Sequence, residues 1–198
     1  EVPVERIPGI QRMIIRKCVE HHKPVIVATQ MLHTMITNPR PTRAEVTDIA
    51  NAIYSNTDAL MLSGETASGK YPLEAVQTMA AIAEQAEKDR QSFDPIYNVP
   101  LNEHCTQREF LSHAAMRLLG VEGIITASKS GYTARCLATY RGPKPILAIC
   151  YNEKTQRWLN LSYGVIAVYQ KEHASSDVIF RAALRMLRQK GYLGNDDK

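Results

Sequence analysis

Apolar and polar positions along the chain alternate between two periods. Ile10 to His22 places Met13, Ile14, Lys17 and Cys18 at i, i+1, i+4 and i+5, the spacing of a helix face. Pro24 resets the chain, and Val25-Ile26-Val27-Ala28 is β-branched and short, as expected of a buried parallel strand. Pro39 and Pro41 stiffen a loop around Arg40. Thr42-Arg43-Ala44-Glu45 then reads as a capping box, followed by the apolar face Val46, Ile49, Ala50, Ile53 and Tyr54 of a helix. Ala59 to Leu62 predicts a second strand. Leu73, Val76, Met79, Ala80, Ala83 and Ala86 predict a long helix after Pro72, running to about Arg90.

QSFDPIYNVPL, with Pro95 and Pro100, breaks both periods and marks a boundary. Beyond it the alternation resumes. A helical stripe through Phe110, Leu111, Ala114, Ala115, Leu118 and Leu119 closes at Gly120. Strand GIITAS, a helix from about Tyr132 to Arg141, strand PILAIC, a short helix around Trp158 and strand GVIAVY follow. Val178, Ile179, Ala182, Ala183, Met186 and Leu187 predict a last helix. Strands alternating with helices imply an α/β protein with a mostly parallel sheet covered on both faces.

In such folds ligands collect at the carboxyl ends of the strands. The first two strands end in small polar residues, Thr29-Gln30 and Ser63-Gly64-Glu65, which makes these the first candidates for a site. A strand-end Thr or Ser that merely satisfies a turn is the competing reading. Gly64 to Lys70, GETASGK, fits seven positions of the phosphate-binding pattern GxxxxGK[ST]. Tyr71 stands where the pattern needs a hydroxyl for Mg²⁺, so a nucleotide-binding loop of that kind is not expected. In the second half, Ser128-Lys129-Ser130-Gly131-Tyr132-Thr133 joins a strand to a helix. Hydroxyls, one cation and a helix amino terminus make it a candidate phosphate cradle, or simply a self-capped turn.

Composition narrows the class. The 198 residues are 44% hydrophobic, enough for one large or two modest cores. A net charge of +4, from 24 basic and 20 acidic residues without like-charge blocks, gives no reason to expect nucleic-acid or membrane-surface binding. Cys18, Cys105, Cys136 and Cys150 lack the spacing of a zinc site or a disulfide framework and suit a reduced, intracellular protein. No stretch reaches the roughly 18 apolar residues of a membrane span. EVPVERIPGI, without an initiator Met or an apolar leader, is compatible with a cut end.

Taken together, PVIVATQML, NPRPTRAEVTDIANAI, TDALMLSGETASGKYPLEAV and the SKSGYTA loop resemble the pyruvate kinase family, over nearly the whole chain. The resemblance implies the last two strand–helix units of a (β/α)8 barrel over residues 1–90. A linker would span 91–101, and 102–198 would form a three-layer α/β/α regulatory domain without its last strands. By the same resemblance, Thr29 contacts pyruvate or its enol near the proton-transfer step, and Ser63 and Glu65 help build the floor of the site. Arg43 supports the metal-binding loop across a subunit interface. Ser128, Lys129, Ser130, Gly131 and Thr133 hold the phosphate of a sugar-phosphate or nucleotide effector. His33 stands where many relatives carry an acid, and Ser55-Asn56 replaces a common Asp-Gly turn.

The family's substrates are phosphoenolpyruvate and ADP, its products pyruvate and ATP, and its cofactors Mg²⁺ and K⁺. The metal ligands and the phosphoryl-handling Lys are implied upstream of this segment, with no metal ligand inside it. Turnover by these residues alone is therefore not expected. A cytoplasmic homotetramer working in glycolysis is implied as well. A stand-alone phosphate-binding regulatory module, without catalysis, is the alternative.

Overall fold

The structure is a computed structural model and describes residues 2–93, 101, 103–118, 121–142, 144–171, 176–189, 191–192 and 194. The chain divides into two compact units, Glu1–Ile96 and Tyr97–Lys198. Pro95 and Pro100 of the expected linker, and Leu119 and Gly120 at the expected helix end, lie outside the described residues.

In the first unit α1 spans Ile7–Glu20, with a Pro in its first turn, and leads to β1 at Ile26–Ala28. A 3₁₀ turn at His33–Ile36 precedes α2, Arg43–Tyr54. Then come β2 at Ala59–Met61, a single helical turn α3 at Gly64–Ala67, and α4 at Pro72–Phe93. β1 and β2 are parallel, pairing Ile26 with Ala59 and Ala28 with Met61. Their entry is pinned by polar contacts. Val25 N–H donates to the Asp58 carboxylate at 3.0 Å, and the Thr57 hydroxyl donates to the Val25 carbonyl at 3.1 Å. At the far end of α4, Arg90 is buried and donates to the Ile53 carbonyl at 3.3 Å and the Asn56 side chain at 2.9 Å, tying α4 to the end of α2.

Three helical faces differ in phase from the expected stripes. α1 starts three residues early and buries Ile15 and Val19, while Met13 and Ile14 are exposed. α4 buries Ala75, Met79 and Ala86 but exposes Leu73 and Val76. In the second unit α5, Gln107–Met116, buries Ser112 and exposes Phe110 and Leu111. The apolar residues of these helices do not all turn to the core of their own unit. A stripe read from sequence shows which positions avoid water and leaves open what covers them.

The second unit continues with β3 (Ile124–Ser128), α6 (Tyr132–Thr139), β4 (Ile146–Cys150), α7 (Glu153–Leu159), β5 (Val165–Tyr169) and α8 (Ser176–Gln189). The parallel sheet has order β3-β4-β5. β4 is central and buried throughout, as its unbroken apolar run requires. Its Ile146, Ala148 and Cys150 pack with Ala134, Leu137 and Leu159 of α6 and α7. Leu147 and Ile149 face the opposite way, onto Ile179, Ala183 and Leu187 of α8. Two apolar faces on one sheet make the three-layer α/β/α arrangement.

Candidate functional site

The parallel pairing of β1 and β2 brings their carboxyl ends side by side. Thr29 and Gln30 follow β1 at once, exposed, and both sit in the left-handed region, with φ of 73° and 57°. For residues with a Cβ this costs about 1–2 kcal/mol each. Such strain persists where the surroundings over-determine it, commonly at binding and catalytic sites. Ser63, after β2, is also exposed.

Glu65 differs from Thr29 and Ser63 in its burial. It is 1% exposed and points inward. Its carboxylate accepts from Leu32 N–H at 3.1 Å and Ser63 N–H at 2.8 Å, joining the loop after β1 to the loop after β2. Burial alone would raise this carboxyl. Backbone N–H donors, helped by the charge of His33, outweigh that and hold it below its ordinary value of 4.5. Glu65 is thus an ionised brace between the loop after β1 and the loop after β2.

Sequence reading missed a second carboxylate of this kind. The capping box on α2 is present: Thr42 N–H donates to Glu45 at 2.8 Å, and Glu45 N–H donates to the Thr42 hydroxyl at 3.3 Å. The same carboxylate also accepts from Thr34 N–H at 2.8 Å and from the Thr34 hydroxyl at 2.6 Å. Burial pushes Glu45 up, but the donors of Thr34 and Thr42 prevail and lower it. The T-x-x-E signal exposed the cap; nothing local pointed to Thr34, eleven residues back. Arg43, on the same first turn, is exposed.

GETASGK is not a phosphate loop in three dimensions. Ala67 N–H donates to the Ser63 carbonyl and Ser68 N–H to the Gly64 carbonyl, so these donors are spent within α3. Gly69 packs so tightly on the turn that a Cβ there would lie 2.4 Å from the Glu65 carbonyl oxygen.

The Ser128–Thr133 loop closes over the start of α6. Gly131 is the residue before the helix, with φ 77°, and has no side chain to cap it; the Ser130 hydroxyl instead accepts from Tyr132 N–H at 3.4 Å. Lys129 and Ser130 are exposed, Thr133 is half-buried and Ser128 is buried. α7 grips the loop from beneath. Asn152 and Thr155 donate to the Lys129 carbonyl at 3.4 and 3.2 Å, and Arg135 lies 4.0 Å over the Trp158 ring.

Among the described residues no three His, Cys, Asp or Glu side chains converge as a metal-binding cluster. Among the described residues no helix is long and apolar enough to cross a membrane.

Two family models match the chain: pyruvate kinase, barrel domain, over residues 1–76, and pyruvate kinase, alpha/beta domain, over residues 109–198. The pyruvate kinase of Clostridium acetobutylicum is 43% identical over 200 residues, and that of Borreliella burgdorferi 44% over 202. Each comparison spans all of this chain and 42% of the relative. Among solved structures, a pyruvate kinase from Cryptosporidium parvum superposes with a TM-score of 0.91 at 34% identity, covering all of this chain and 41% of that one. Cryptosporidium parvum pyruvate kinase in complex with ADP gives 0.85, also at 34% identity, covering all of this chain and 40% of that one. The chain therefore spans about two-fifths of the length of these relatives.

Proposed function

Since the chain belongs to the pyruvate kinase family, we propose that it supplies one wall of the substrate cavity of a phosphoenolpyruvate-using kinase. The reaction passes the phosphoryl group of phosphoenolpyruvate to ADP, giving ATP, and the enolate left behind takes a proton at carbon three to become pyruvate. The observation that carries this reading is the strained, exposed Thr29 and the exposed Ser63 at the carboxyl ends of two parallel strands, with the buried Glu65 bracing the loops that follow them. Parallel α/β folds place their chemistry at that edge.

Roles follow from chemistry. The Thr29 hydroxyl, exposed at the carboxyl end of β1, contacts the enol or the keto oxygen near the proton-transfer step. Ser63 forms the floor. Glu65, ionised and engaged by two N–H donors, shapes that floor rather than exchanging protons. Arg43, exposed on α2, reaches toward a neighbouring subunit of a homotetramer. Phosphoryl transfer relies on positioned cations. In this reading the Mg²⁺ and K⁺ ligands come from outside the segment, and its own part is to orient substrate. The named ADP complex of a structural relative supports ADP as acceptor.

Ser128, Lys129, Ser130, Gly131 and Thr133 form the effector site, where a helix start with glycine at its N-cap and the exposed Lys129 and Ser130 suit the phosphate of a sugar phosphate or nucleotide. The domains run over 1–90 and 102–198, with the linker at 91–101. Exposed Leu73, Val76, Ile14 and Ile26 on the first unit are surfaces against which further strand–helix units of a barrel pack. A cytoplasmic, glycolytic setting belongs to the same reading. The test is pyruvate formation from phosphoenolpyruvate and ADP, with Mg²⁺ and K⁺ present. The complete kinase carrying this segment is expected to form it and the 198-residue chain alone is not; pyruvate made by the isolated chain would overturn this reading.

A further inference from the structure

We propose that Glu45, beyond capping α2, is a positioning residue for the wall that carries Thr29. The proposal rests on the reading of that wall as a substrate surface. Thr29 and Gln30 are successive left-handed residues with side chains, a conformation that must be held from outside. Two buried carboxylates grip the residues just beyond them. Glu65, on α3, takes Leu32 N–H, and Glu45, on α2, takes both the N–H and the hydroxyl of Thr34. Positions 32 and 34 are thereby fixed from two different helices, and β1 is held by its pairing up to Ala28, which leaves the strained pair between them little freedom to relax.

Charge explains why a carboxylate is needed. Glu45 receives four hydrogen bonds, from the N–H and hydroxyl of Thr34 and of Thr42, at 2.6 to 2.9 Å. Only an ionised carboxyl offers acceptors on both oxygens. Glutamine, of the same shape, turns an NH₂ group toward donors at one of the two positions and cannot satisfy the set. A capping role alone would need only Thr42. The molecule carries its own control for that role. In the other unit Thr106 and Glu109 build the same box on α5, with Thr106 N–H donating to Glu109 at 2.6 Å and Glu109 N–H to the Thr106 hydroxyl at 3.3 Å.

The experiment compares Glu45→Gln, Thr34→Val, Thr34→Ser and Glu109→Gln with Thr29→Ala in the complete kinase carrying this segment, reading kcat, KM for phosphoenolpyruvate and Tm. Glu45→Gln and Thr34→Val are expected to lower kcat at least tenfold, with KM changed by less. Thr34→Ser restores turnover to within about threefold. Glu109→Gln lowers Tm while kcat stays within twofold of the parent. Thr34→Val leaves the α2 cap intact, so it decides the matter even where Glu45→Gln fails to fold. If Thr29→Ala is impaired while Thr34→Val and Glu45→Gln turn over at the parent rate, this proposal is overturned and the substrate-wall reading stands. If Thr29→Ala itself turns over normally, both fall.

Discussion

At the scale of single residues, the candidate site depends on backbone conformation and buried charge together. Thr29 is presented at an angle no ordinary strand end would give it, and Glu45 and Glu65 hold the surrounding loop. Both carboxyls sit below their ordinary value of 4.5 in the folded chain. The sign of the linkage follows. A group whose folded value is depressed contributes stability that is fully present above its unfolded value and is lost as pH falls through the folded one. Unfolding free energy should therefore be flat from neutral pH down to about 4.5 for these two groups and decline below it. Urea titrations of the parent and Glu45→Gln at several pH values check this: the variant should be less stable at pH 7 and lose less on acidification. Equal acid slopes would show that Glu45 is not held ionised. Little of this was legible beforehand. Thr29 and Ser63 stand out as polar residues ending apolar runs, but a left-handed Thr-Gln pair has no compositional mark, since glycine is the residue that advertises that region. Thr34 found Glu45 through tertiary structure, which a local motif does not encode.

At the scale of elements, the alternation of strand and helix was readable because proline, glycine and capping residues punctuate it. All five described strands lie within the runs read as strands, and α2 and its capping box fall at Thr42–Tyr54 as read. What failed was the phase of α1, α4 and α5, because apolar positions there face away from their own unit. The equivalent Thr106–Glu109 box on α5 was present in the letters and passed unread. The junction of β3 and α6 shows how one glycine sets an element boundary. Gly131 has φ 77°, and a Cβ there would meet Leu159 at 3.0 Å and Thr155 at 3.2 Å. Gly131→Ala should lower the unfolding free energy by about 1–2 kcal/mol from the left-handed penalty alone. On the effector reading proposed above, displacement of the loop from α7 should further weaken inorganic phosphate binding there. Denaturant melts with calorimetric titration would measure both; an unchanged midpoint would mean that loop and helix shift without cost.

For the whole molecule, two compact units match the barrel and alpha/beta domains of one enzyme family, over about two-fifths of its length. The division of labour we propose gives the first unit a substrate wall and the second an effector site, with metal and phosphoryl chemistry supplied by sequence beyond this segment. That account stands or falls on Thr29. The decisive measurement is the steady-state rate of pyruvate formation from phosphoenolpyruvate and ADP by the complete kinase carrying Thr29→Ala. A group acting at the proton-transfer step contributes on the order of 10²-fold or more, so kcat should fall by about that factor while Tm stays near the parent's. An unchanged kcat in the folded variant would contradict the account.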